Sequence, residues 1–114
     1  MSITVIDLSE REWQDVPATW AGKVPSGEPD VRFKSFTIGS AAVPGGQLIE
    51  FEPGHVEAEH SHDEGELFYV LAGDLSIQDL AVGPGALVYV AGGTKYSNRT
   101  QGGCSFLRLG MGAD

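Results

Sequence analysis

The chain has 114 residues, 41% of them hydrophobic and 20% charged, with a formal net charge of −9, which fits one globular domain able to bury a core without disulfides. The acidic balance argues against nucleic acid and anionic membrane surfaces as partners, because no basic stripe exists to neutralise phosphates. No segment is long and apolar enough to span a bilayer, no signal-peptide pattern is present, and the lone Cys104 allows no internal disulfide, so a cytoplasmic home is expected.

The first stretch, ITVIDLSEREW, opens as a short strand and then sets Ser9 three residues before Glu12. That is capping-box spacing, so a helix is expected to start there and to end early, at Pro17. PATWAGKVPSGEPD follows, punctuated by Pro and Gly, and reads as a surface arm that Trp13 and Trp20 anchor. Six short runs come next: VRFKSFTIG, GQLIEFE, ELFYVLAG, DLSIQDLAV, ALVYVAG and CSFLRLG. Each is rich in β-branched or aromatic residues and bounded by Gly, Pro, Asp or Asn, the pattern of an all-β sandwich or barrel. Residues 1–39 are therefore expected to form an N-terminal strand, short helix and arm, and residues 40–114 the barrel, as one domain overall.

Alternation along these runs sorts their residues. Ile49, Phe51, Val88 and Val90 read as core, Phe68 and Val70 point inward, and Tyr69 and Leu71 point outward. Phe68 is expected in a pocket wall. His55, just after Glu-Pro-Gly, is expected at an exposed turn. Cys104 reads as a buried, inert thiol. Arg108 reads as solvent-facing in so acidic a chain, although turned inward it would pair an acidic substrate.

The chemistry concentrates in EHSHDEGELFYVLAG. On a strand, His60 and His62 share one face, and Glu66 joins them if the chain reverses at Gly65. Two imidazoles and one carboxylate make a set that leaves open positions on an octahedral metal. A hydrated acidic loop carrying tolerated histidines is the plainer reading of the same residues.

The wider spacing separates these readings. Gly54, five residues, His60, one residue, His62, three residues, Glu66, six residues and Gly73 resemble the first motif of the cupin family without a gap. GPGALVYVAGGTKYSN resembles the second, and the likeness covers roughly residues 40–110. It implies a single antiparallel jelly-roll β-barrel and a divalent transition metal (iron, manganese, zinc or nickel) on His60, His62 and Glu66. It further implies a small-molecule substrate and a homodimer, which outward Tyr69 and Leu71 would suit. The early DVPATW and GEPDVRFKSF segments are similar to cupins near the dioxygenase and anti-sigma-factor branches. Family chemistry includes dioxygenases, isomerases, decarboxylases and lyases, so the resemblance implies a metal-dependent small-molecule enzyme, a dioxygenase first among these.

Two positions depart from the family pattern. Ala91 stands where most cupins have proline, and Tyr96 where they have the last metal-binding histidine. Three roles for Tyr96 remain open: a phenolate on the metal, a neutral hydroxyl acting on substrate as donor or general acid–base, or packing in a site that has lost function. The missing histidine also leaves room for a non-catalytic metabolite-binding or sensor protein.

Overall fold

The computed structural model describes residues 3–15, 31–37 and 45–110. Among the described residues ten strands run in chain order: β1 Gln14–Asp15, β2 Val31–Thr37, β3 Gly45–Phe51, β4 Val56–His60, β5 Glu66–Gly73, β6 Leu75–Ile77, β7 Leu80–Val82, β8 Leu87–Val90, β9 Tyr96–Arg99 and β10 Cys104–Gly110. They form a six-stranded sheet, ordered β1-β2-β3-β10-β5-β8, and a four-stranded sheet, ordered β4-β9-β6-β7. The pairings are antiparallel. This is the all-β, two-sheet architecture expected from the strand pattern, in the jelly-roll form that the family resemblance implies. No helix among the described residues is long and apolar enough to cross a membrane.

The core lies between the sheets, where period-two alternation sends one side of each strand inward. Phe51, Phe68, Val70, Leu75, Ile77, Val90, Tyr96, Cys104 and Phe106 are buried together, with Val31, Ile49, Val82, Ala86 and Val88 packed against them. Phe51 and Val90 are thus core as the alternation predicts, and Ile49 and Val88 border it. Tyr69 and Leu71 do face outward, and both are exposed. Cys104 is buried, and burial pushes its thiol up to about 11, so it is inert at neutral pH.

Gly73 closes β5 at φ +83°, and a Cβ there would collide with the Gly103 carbonyl. The close approach lets β10 run tightly beside β5 while the chain turns into β6.

The N-terminal segment differs from its sequence reading. Residues 3–7 form no strand, and instead of a helix starting at Ser9 there is a single 3-10 turn over Leu8–Glu10. Asp7, not Ser9, caps it: the Asp7 carboxylate accepts from the Ser9 backbone N–H at 3.0 Å. The turn stops because Gln14 and Asp15 are drawn into pairing with Phe33 and Arg32. Trp13 lies beneath Arg32 and Lys34, 4.4 Å and 4.8 Å from their charged groups, and Lys34 donates to the Leu8 carbonyl at 2.8 Å. Those contacts pin the segment to β2. Pro17 and Trp20 lie outside the described residues.

Candidate functional site

A cavity of about 270 Å³ opens between the sheets. Val31, Ile49, Phe51, Phe68 and Phe106 form its apolar wall, and Gln47, His55, Glu57, His60, His62, Tyr96, Asn98 and Arg108 its polar one. The polar wall draws on both sheets, so it exists only in the folded chain.

On the four-stranded side, β4 and β9 pair with Glu57 opposite Asn98 and His60 opposite Tyr96, and the register shifts between the two pairs. Ala58 and Glu59 on β4 therefore stand against Ser97 alone on β9, which is a β-bulge. In a regular strand residues three apart face opposite sides, but the bulge brings Glu57 and His60 to the same cavity. His60 Nδ1 lies 2.8 Å from the Ala58 carbonyl and its Nε2 3.0 Å from Glu57 Oε1. Both neighbours only accept hydrogen bonds, so both ring nitrogens carry protons. The Glu57 hydrogen bond accordingly holds the His60 pKa above its ordinary value against the effect of burial. Burial acts to raise the Glu57 carboxyl, but the hydrogen bond and charge of His60 outweigh it and hold it low.

On the six-stranded side Glu66 opens β5 and is almost wholly buried, its side chain 2% exposed. Its Oε2 accepts a charge-assisted hydrogen bond from Arg108 Nε. Its Oε1 accepts from the Tyr96 hydroxyl at 3.1 Å and lies 3.2 Å from His62 Nε2. Burial lowers the His62 pKa, and the Arg108 charge adds to that against the pull of Glu66. Burial, then the Glu66 charge, raises the Tyr96 pKa well above the ordinary 10. Tyr96 is therefore a neutral donor. The result is a hydrogen-bonded group in which the Glu66 carboxylate is met by Arg108, Tyr96 and His62.

The structure gathers His60, His62, Glu66 and Tyr96 at one cavity. The His60 ring centroid lies 5.0 Å from that of His62 and 4.6 Å from that of Tyr96. Phe68 stands in the pocket wall. Two readings need correction. His55 is buried rather than exposed, because the turn closed by its N–H on the Glu52 carbonyl swings its ring to 4.2 Å from Phe51. Arg108 faces the cavity rather than solvent, because the buried Glu66 carboxylate offers it a partner. The alternation of CSFLRLG carried that signal, since Cys104, Phe106 and Arg108 fall on one side of β10. Glu57 and Asn98 were missed altogether, and no sequence signal marks the bulge that aims Glu57.

The donor types suit a metal ion, but the donors are committed to one another. His60 is doubly protonated, Glu66 is neutralised by Arg108, and the Tyr96 phenol stays protonated. Among the described residues no group of three or more His, Cys, Asp or Glu side chains is arranged to hold a metal. Glu57 with His60 and Glu66 with Arg108 already balance two negative charges with two positive ones. As partnered here, the residues do not fit a divalent cation.

Residues 47–108 match the family model described as the cupin domain. No curated protein matches the chain in sequence. Among solved structures, the polyketide cyclase RemF of Streptomyces resistomycificus aligns with a TM-score of 0.77 at 16% identity, over 96% of this chain and 79% of that one. A candidate acetylacetone dioxygenase of Methylibium petroleiphilum PM1 aligns with a TM-score of 0.79 at 11% identity, over 98% and 78%. A chain from the Rhodobacter sphaeroides complex of SigE with the anti-sigma ChrR aligns with a TM-score of 0.70 at 17% identity. The match covers 91% of this chain but only 50% of that one. At such identities these likenesses establish a common fold and carry no activity across.

Proposed function

The chain belongs to the cupin family, and from that premise we propose that its barrel binds a small organic molecule without a metal, as a metabolite-binding protein. The observation that carries this reading is the pairing inside the cavity. Each family ligand position is held by a protein partner, so the polar groups form a fixed, charge-balanced lining for a guest. An apolar wall with a few convergent polar groups is the usual make-up of a small-molecule site. A cytoplasmic home and a homodimer joined through the outer face of Tyr69 and Leu71 complete the proposal.

A second reading has its own support. The His62 and Glu66 donor atoms stand 3.2 Å apart beside His60, in the first-motif spacing. A divalent iron, manganese, zinc or nickel ion displacing Arg108 and Glu57 would make the protein a metal-dependent enzyme such as a dioxygenase. Native mass spectrometry with elemental analysis of the purified protein decides between the two. An organic adduct released on denaturation, with metal far below stoichiometric, supports the binding protein. Stoichiometric metal retained through purification overturns it in favour of the enzyme.

A further inference from the structure

The inner face of the six-stranded sheet carries a polar row at one edge of the cavity. Strand register sets Arg108 opposite Gln47 and Gln47 opposite Ser35. The next two inward rows are apolar where they meet the cavity, with Phe106 opposite Ile49 and Val31 opposite Phe51. Arg108, Gln47, Ile49 and Val31 all line the cavity, so that wall is polar along one edge and apolar beyond it.

The polar edge holds donors that the fold does not use. A guanidinium carries five N–H groups, all donors. Arg108 gives Nε to Glu66 and reaches Gln47 Oε1 from Nη1 at 3.4 Å, and its other Nη hydrogens make no hydrogen bond among the described residues. Gln47 Nε2 in turn reaches Ser35 Oγ at 3.4 Å. Both contacts are longer than the usual ~2.9–3.0 Å, so little is lost when a better acceptor replaces them.

The cation and its counter-ion are placed asymmetrically. Arg108 lines the cavity and is 27% exposed, whereas Glu66 is 2% exposed and lies behind it, outside the lining. On the other sheet Glu57 and His60 face the cavity together as a matched pair. A guest at the Arg108 edge therefore meets the guanidinium first and the balancing carboxylate further back, and Coulomb interaction weakens with distance.

Resting on the reading of the barrel as a small-molecule site, we propose that its ligand is a small organic carboxylate with an apolar body. The carboxylate accepts from the Arg108 Nη groups, the paired geometry that a guanidinium favours, and from Gln47 Nε2. The body lies over Val31 and Ile49. Binding is non-covalent, with no bond made or broken.

Benzoate, benzamide and acetate test this on protein dialysed free of metal, since they present the head with the body, a neutral head on the same body, and the head alone. The chain's three histidines all line the cavity, so their imidazole nitrogen NMR signals report its occupancy. Benzoate should bind about tenfold more tightly than benzamide, because charge-assisted hydrogen bonds are roughly twice as strong as neutral ones. It should also bind at least about tenfold more tightly than acetate, which buries no apolar body. Gln47→Leu should weaken benzoate by about fivefold, the loss of one neutral donor, and Arg108→Met should abolish the preference for benzoate over benzamide. The wild-type titrations carry the test whether or not a variant folds. Benzamide binding as tightly as benzoate overturns the carboxylate assignment but keeps the small-molecule site, and acetate binding as tightly as benzoate overturns the apolar body. A preference that survives in Arg108→Met, or an affinity unchanged in Gln47→Leu, overturns the pair of donors. Imidazole signals that ignore all three probes overturn both the assignment and the small-molecule reading.

Discussion

Arg108→Met is the sharpest test of a cavity that is charge-balanced from within. Methionine keeps much of the apolar stem of arginine and removes the guanidinium, leaving Glu66 with the Tyr96 hydroxyl and His62 but no cation. Breaking a fully buried ion pair costs about 3–5 kcal/mol, because the remaining charge is stranded away from water. Glu66 meets that condition at 2% exposure, whereas Arg108 is 27% exposed, so solvent screening lowers the expected loss to about 2–4 kcal/mol. At about 4 °C per kcal/mol for a domain of this size, the melting temperature should fall by ~8–16 °C.

A double-mutant cycle separates charge from packing. Urea unfolding of the wild type, Arg108→Met, Glu66→Gln and the double variant gives the four stabilities required. With both charges gone, the double variant should recover at least half of the loss seen in Arg108→Met, since a neutral amide in that position strands no charge. A loss under about 0.5 kcal/mol in Arg108→Met, or additive effects of the two substitutions, would refute an ion pair that matters in the folded state.

The same charge balance governs metal. Chelator treatment of the wild type should move its melting temperature by less than about 1 °C, because a ligand present near or below its dissociation constant stabilises by only a few tenths of a kcal/mol. Zinc at a fixed concentration should stabilise Tyr96→His/Arg108→Met more than Tyr96→His, because the guanidinium still occupies Glu66 in the single variant; differential scanning fluorimetry reads both. For the Glu57–His60 pair the pH signs oppose each other. His60, raised from 6.5, stabilises fully below that value and loses its contribution as pH rises through its folded pKa. Glu57, lowered from 4.5, stabilises above that value and loses its contribution as pH falls. The stability gap between wild type and Glu57→Gln should therefore be widest between pH 4.5 and 6.5 and narrow as pH rises through the folded His60 pKa or falls through that of Glu57 in urea titrations. Finally, Leu87 and Tyr89 on edge strand β8 are 65% and 61% exposed beside outward Tyr69. Leu87→Glu should convert the proposed homodimer to monomer in size-exclusion chromatography with light scattering, whereas an unchanged mass would place the interface elsewhere.

The jelly roll was legible because its determinants are local. Strand alternation, Gly and Pro punctuation and the spacing from Gly54 to Gly73 all operate within a few residues, and six quoted runs fall on strands of the two sheets. His60, His62, Glu66 and Tyr96 were legible as a group through the family motif. What surrounds them was not. Arg108 is 42 residues from Glu66, and charge composition, which favoured solvent, says nothing about one buried carboxylate. The register shift between Glu57 and His60 is a property of paired strands rather than of either strand alone. The N-terminal helix failed for the complementary reason: Ser9 and Glu12 carry a helix-start pattern, but pairing to β2 recruits Gln14 and Asp15 before a second turn can form.

The departure at Tyr96 belongs physically with the residues around it. A histidine at position 96 would add a third imidazole to His60 and His62, and imidazole offers a lone pair that asks for a cation. The Tyr96 phenol, kept neutral by burial and by Glu66, offers a proton instead, and Glu66 accepts it. Once Glu66 takes one hydrogen bond from a phenol and another from Arg108, its charge is met without an ion. Glu57 completes the arrangement on the other sheet by holding His60 protonated, which removes a second donor from any metal. Tyrosine at the last ligand position therefore does more than delete one ligand: together with Arg108 and Glu57 it converts a constellation of electron-pair donors into one of paired charges.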